Sequence, residues 1–224
     1  MADRTPKYVE IYDTTLRDGS QLEGISLTVD DKLRIAEQLD YLGVRYIEAG
    51  WPGANPKDDE LFQRIPGELR LTTSTLVAFG STRRARGKVD ADETLAHLLR
   101  SGAPALCIVG KCWDYHVTET LNTTLEEGVA MVGDSVRFLK GEGREVLFDA
   151  EHFFDGYKRN AEYSLQVLEA AATAGVDRLV LCDTNGGSLP HEVERIVAEV
   201  VDYFGGDVAV GVHLHDDKIG RAHV

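Results

Sequence analysis

The chain has 224 residues, of which 43% are hydrophobic and 28% charged, an ordinary make-up for a soluble globular protein with one sizeable core or two small ones. Its net charge of −14 excludes broad nucleic-acid binding, which needs a basic stripe, so an anionic substrate has to be drawn in by a local positive site. No apolar run approaches the ~20 residues that cross a bilayer, which excludes membrane partners of that kind. The start lacks a basic stretch followed by an apolar one, so no secretory signal is expected. The three cysteines, Cys107, Cys112 and Cys182, fall in or near strand-like runs. Buried thiols in a reducing cytoplasm explain an odd number better than disulfides do, and the spacing of Cys107 and Cys112 does not suit a zinc knuckle.

Strand-like and helix-like segments alternate along the whole chain. Tyr8–Asp13 reads as the first strand, delivering the ion-rich loop TTLRDGSQ. Thr28 caps a helix carrying Leu33, Ala36, Leu39 and Leu42 at helical spacing, and Gly43 stops it. Val44–Ala49 is a second strand, followed by GWPGANPKD and a short helix from about Lys57 to Arg64. Leu69–Phe79 is a third strand, Thr94–Arg100 a helix and Ala105–Val109 a fourth strand. Leu125–Leu139 is a longer helix closed by Gly141. Glu145–Phe148 is a fifth strand running into DAEHFFDG, and Ala161–Ala174 a helix ended by Gly175. Arg178–Cys182 is a sixth strand running into DTNGG. A sixth helix begins near Pro190, whose missing N–H costs nothing there. Val208–Val212 is a seventh strand and carries His213-Leu214-His215.

Seven strands and six helices in alternation fit a doubly wound sheet or a (β/α)8 TIM barrel. No G-x-G-x-x-G follows the first strand, which weakens dinucleotide binding. Polar chemistry gathers after strands one, two, five, six and seven, as it does at the C-terminal face of a barrel. The expected fold is therefore an incomplete (β/α)8 barrel, α/β in class, with residues 1–217 as a truncated catalytic domain and 218–224 as a non-native tail.

His213 and His215 lie two apart on a strand, so both point to one face. An isolated H-x-H is equally well a pair of satisfied polar residues. Asp18, at the end of strand one, tips the reading towards a shared divalent ion with open positions for substrate oxygens. A Lewis-acid role favours Mg²⁺ or Mn²⁺ and leaves Zn²⁺ and Fe²⁺ open. Arg17, always charged, would stabilise an enolate or alkoxide; the bland reading is a surface ion pair with a neighbour such as Glu23. Glu48, ending strand two, either holds Arg17 or touches substrate, or else makes a helix-facing ion pair. Glu151 is a candidate acid/base, and Thr184 a candidate donor to a substrate carboxylate. Asp13 and Asp183 read as loop supports. The run RRARGK, Arg83–Lys88, reads as a solvated basic loop. His152 is the nearest to the site of the remaining histidines, His97, His116 and His191 being structural or exposed. Trp51 and Trp113 are candidate pocket walls.

DTTLRDGSQ, IEAGWP, DTNGG and the H-x-H together resemble the DRE-TIM metallolyase family over residues 8 to 217. GISLTVDDKLRIAEQLDYLGVRYIEAGWPGANPKD and FDAEHFFDGYK look most like its citramalate synthase branch, near the 2-isopropylmalate synthases. The resemblance implies a metal-assisted condensation of acetyl-CoA with a 2-keto acid, pyruvate, to (R)-citramalate, on a route to isoleucine. It matches Asp18, His213 and His215 to the family's divalent-metal ligands and Arg17 to the enolate-stabilising arginine. It matches Glu151 to an acidic residue at the keto-acid site and Thr184 to a substrate-contacting threonine. Acetyl-CoA enters as co-substrate, small molecules are the partners, and a homodimer is expected of the full-length protein. Asp216-Asp217 departs from the family's Asn-Asp after the H-x-H, and the eighth strand, acetyl-CoA loop and regulatory domain are absent. The rival readings are the same chemistry on another keto acid, a hydroxyacyl-CoA lyase, or an inactive fragment.

Overall fold

The structure, a computed structural model, describes residues 8–215; Asp216, Asp217 and the expected tail lie outside the described residues. The described chain falls into two compact units, residues up to Phe79 with Arg100–Ala105, and Gly80–Leu99 with the residues from Leu106 onward. Within each unit the described strand pairings are parallel and join strands that are neighbours in chain order.

In the first unit, strand β1 is only Tyr12–Asp13, paired with β2, Tyr46–Gly50. The longer expected strand is not formed: Tyr8, Val9 and Ile11 are largely exposed, and the hydrogen bonds to Ile11 are confined to its carbonyl, from the N–H groups of Arg45 and Tyr46. Helix α1, Val29–Leu42, starts as expected: the Thr28 hydroxyl accepts from the Asp31 N–H, and Asp31 accepts in return from the Thr28 N–H. It ends on Gly43 at φ 86°, a left-handed conformation that favours glycine. Helix α2 spans Pro56–Glu68, longer than expected at both ends, with the Asn55 side chain as its N-cap and Pro56 in the first turn.

Strand β3 is Thr75–Ser81, starting six residues later than the expected strand. The N–H groups of Thr72, Thr73 and Ser74 turn instead to the buried carboxylate of Asp40 on α1, at 2.7–2.9 Å. Ladder pairing begins only when the Thr75 N–H reaches the Arg45 carbonyl.

In the second unit, β5 (Glu145–Glu151), β6 (Arg178–Asp183) and β7 (Ala209–Leu214) pair side by side. Strand β4 is Ala105–Lys111, and α3 (Glu93–Arg100) precedes it. Helices α4 (Leu125–Gly141), α5 (Phe153–Arg159), α6 (Ala161–Thr173) and α7 (Pro190–Phe204) complete the unit. Phe148, Leu179 and Leu181 share a face with Ala150, and with Leu139, Phe153, Val167 and Leu168 they are almost fully buried. Each such side chain contributes about 1.5–3 kcal/mol. All three cysteines are buried and outside any disulfide, as expected.

The helix α5 was not expected. It begins where His152 adopts φ 53°, a left-handed conformation uncommon for histidine, so the chain leaves β5 through a sharp corner instead of a long loop. Arg83 also departs from the solvated reading. Its residue is 4% exposed, and its guanidinium lies between Glu127 and Asp134 on α4.

Candidate functional site

Partner residues on parallel strands point the same way, so pairing fixes which side chains share a face. In the first unit Tyr12 pairs with Tyr46, Tyr46 with Thr75, and Glu48 with Val77. Tyr12, Tyr46, Glu48, Val77 and, by alternation, Phe79 therefore line one face. A register shift between Glu48 and Gly50 marks a bulge at Ala49. The Ala49 carbonyl accepts from Lys32 Nζ at 3.2 Å, and Lys32 in turn bonds Asp58 at 2.5 Å. Asp58 also accepts from the Trp51 N–H and the Asn55 side chain, so one buried ion pair shapes the loop after β2. Gly50 is required there, since a Cβ would lie 2.7 Å from the Asp58 carboxyl carbon.

On this face Arg17 is held from three sides. Its Nε donates to Glu48 Oε1 at 2.6 Å, its Nη1 to Asp18 Oδ1 at 3.1 Å, and its guanidinium carbon lies 3.8 Å from the Phe79 ring centroid. Glu48, fully buried, accepts in addition from the Tyr12 hydroxyl at 2.5 Å. Of the three readings open for Glu48, the structure supports the one that holds Arg17, which pairs with Glu48 and Asp18 instead of Glu23. Asp13 accepts from the N–H and hydroxyl of Thr15, the loop-supporting role expected. A cleft of about 640 Å³ opens beside Arg17, lined among others by Gln21, Trp51, Asn55 and Lys57.

In the second unit Asp149 pairs with Val180, and Cys182 with His213. Asp149, Glu151, Cys182, His213 and, by alternation, His215 and Thr184 thus belong to one face. The His213 and His215 rings stack with centroids 5.0 Å apart and planes 19° from parallel. Glu151 is ion-paired with Lys111 at the end of β4. The Thr184 hydroxyl accepts from the His152 N–H at 2.9 Å, fixing the strained corner after β5. Asp183 accepts from the N–H groups of Gly187 and Ser188 and supports its loop, as expected.

His116, expected to be structural or exposed, meets His152 edge to face at 4.5 Å, with Trp113 against both. The nitrogens Trp113 Nε1, His116 Nδ1 and His152 Nδ1 are buried without a hydrogen-bond partner. Burial, then His152 and Lys111, push the His116 imidazole below its ordinary value, with Glu151 and Asp155 acting against them. Burial, followed by the Glu151 charge, raises the Cys112 thiol well above its ordinary value and leaves it inert.

Sequence reasoning missed Tyr12, Phe79, Lys111, Asp149 and Cys182. Strand parity was the available signal for two of them: Asp149 stands two residues before Glu151 on β5, and Cys182 two before Thr184.

A family profile described as HMGL-like matches residues 8–222. The chain is 54% identical over 210 residues to the (R)-citramalate synthase of Aquifex aeolicus, covering 94% of this chain and 39% of that protein. It is 35% identical over 211 residues to the 2-isopropylmalate synthase of Sulfolobus acidocaldarius, covering 94% of this chain and 51% of the other. The chain thus spans well under two thirds of the curated relatives it matches. Among solved structures, the HMG-CoA lyase of Bacillus subtilis superposes with a TM-score of 0.76 at 22% identity, covering 94% of this chain and 70% of that one. That likeness shows the fold, an incomplete (β/α)8 barrel. Given a profile that matches nearly the whole sequence, the chain belongs to the HMGL-like family.

Proposed function

We propose that the chain is the catalytic portion of an (R)-citramalate synthase, which joins acetyl-CoA to pyruvate and releases CoA. The observation that carries the reading is the 54% identity to a protein of that name across 94% of the chain. The lower identity to a 2-isopropylmalate synthase makes pyruvate a better candidate than a larger keto acid.

The donor set of Asp18, His213 and His215 suits a divalent cation: one hard carboxylate oxygen and two imidazoles already stacked on one face of the second unit. These residues would hold it, with Mg²⁺ or Mn²⁺ favoured, and when bound it supplies a Lewis acid for the α-keto oxygen. Arg17, locked by Glu48 and Phe79, presents a fixed positive charge to the alkoxide that forms on that oxygen. Because Glu48 and Phe79 already fix the guanidinium, little reorganisation is needed as charge develops. Glu151 is the candidate base for a methyl proton of acetyl-CoA, with the Lys111 ammonium beside it to steady the carboxylate. The enolate attacks the keto carbon, and hydrolysis of the thioester makes the reaction irreversible. The buried ring nitrogens of Trp113 and His116 support a polar ligand near Glu151, because such groups ordinarily find partners, whereas His152 Nδ1 already faces Asp155 Oδ2 at 3.7 Å. Thr184 is the candidate donor to the keto-acid carboxylate, its proton remaining available while its oxygen accepts from His152. The full-length protein is proposed to act in the cytoplasm, as a homodimer.

The reading is tested with Asp18→Ala in the full-length protein, assayed by thiol release from acetyl-CoA with pyruvate, 2-oxoisovalerate and 2-oxoglutarate. The expected result is turnover on pyruvate in the parent and loss of both turnover and Mg²⁺ or Mn²⁺ binding in the variant. Unchanged pyruvate activity in the variant would sink the assignment of Asp18, and preference for another keto acid would sink the substrate.

A further inference from the structure

A second cluster on the second-unit face shares only His213 with that chemistry. Asp149, Cys182 and His213 come from three neighbouring strands, and each offers a ligand atom within 4.8 Å of the other two. Register explains the convergence: Cys182 and His213 are direct partners, and Asp149 pairs with Val180, one pleat before Cys182. Asp149 and Cys182 are 6% and 5% exposed. His213 Nδ1 lies 3.7 Å from Asp149 Oδ2, close to the edge of a tetrahedron built on bonds of about 2.0–2.2 Å. A buried carboxylate is costly unless a cation or donors compensate it.

We propose that Asp149, Cys182 and His213 form a second cation site, selective for thiophilic ions such as Zn²⁺ or Cd²⁺. The hard carboxylate and two imidazoles proposed for the condensation accept Mg²⁺, whereas a sulfur ligand favours softer ions. On binding, the Cys182 thiol loses its proton to solvent as the sulfur–metal bond forms. Asp149 donates a carboxylate lone pair and His213 the lone pair of a neutral imidazole, and nothing is oxidised or reduced. Because His213 belongs to both sets, occupancy here withdraws an imidazole from the condensation set. That consequence rests on the function proposed above; the site itself does not.

The test is Cd²⁺ titration of the full-length protein after chelator treatment, read by the ultraviolet charge-transfer band of a cadmium–thiolate bond. The band is expected in the parent and in Cys107→Ser, Cys112→Ser and Asp18→Asn, absent in Cys182→Ser, and shifted to at least tenfold higher Cd²⁺ in Asp149→Asn. Both ligand substitutions are close to isosteric, and either alone decides the matter. No band in the parent, a band that survives Cys182→Ser, an unshifted titration in Asp149→Asn, or a band lost in Asp18→Asn overturns the proposal. The readout is independent of turnover, so its failure and the failure of the synthase reading are told apart.

Discussion

The loops after β1 and β3 each place a shielded arginine among carboxylates, and they put it to different ends. Arg17, with its side chain 10% exposed, is braced at Nε by a single fully buried glutamate and lies flat on Phe79. Arg83, at 5%, meets Glu127 through Nη1 at 2.6 Å and Asp134 through Nε and Nη2, two acids about two turns apart on one face of α4. Its backbone N–H is taken by the Ser135 hydroxyl, and Glu127 also accepts from the Arg86 N–H. Arg83 is thus a rivet between a loop and a helix. Arg17 borders a cleft. The comparison teaches that burial of a cation says little about its role until its partners are counted and the space beside it is known.

One substitution at each position breaks or sharpens that contrast. Arg17→Lys keeps a charge for Glu48 but loses the planar fork. In the full-length protein it should lower kcat/KM about a thousandfold, roughly 4 kcal/mol of transition-state stabilisation, with the unfolding midpoint little moved. A variant with near-parental turnover would make Arg17 a rivet like Arg83. Arg83→Ala should show the reverse pattern. Breaking its pairs should cost about 3 kcal/mol of stability, the low end for a buried pair because Asp134 is 43% exposed, while turnover per folded molecule is retained. Urea unfolding alongside an active-fraction assay separates the two outcomes.

The same distinction explains what could be read in advance. Strand and helix order is written in local periodicity and in caps such as Thr28 and Gly43, which act within a few residues. The density of ionisable groups in TTLRDGSQ likewise marked Arg17 and Asp18. What Arg83 would do was illegible, because Glu127 and Asp134 stand some 44 and 51 residues away in sequence. Lys111 opposite Glu151 and Phe79 beneath Arg17 were hidden for the same reason. The boundary of β3 failed on one distant group: Asp40 captures three N–H groups that a Thr- and Val-rich run would otherwise offer to β2.

Asp40 extends the comparison to a buried anion and carries the smallest of these effects. Burial alone would raise its carboxyl, but the N–H groups of Ser74, Thr72 and Thr73 and the Thr72 hydroxyl outweigh that and hold it well below its ordinary 3.8. All four donors point at the carboxylate, two to each oxygen. Asparagine would turn an NH₂ towards two of them, so Asp40→Asn should cost about 2 kcal/mol at neutral pH. A carboxyl held low in the folded state stabilises it above the unfolded value, and that contribution fades as pH falls through 3.8 towards the depressed folded value. The stability gap between parent and variant should therefore be constant above about pH 5 and shrink steadily below it. A gap that stays level down to about pH 2 would show that the donors satisfy Asp40 by geometry alone, without favouring its charge.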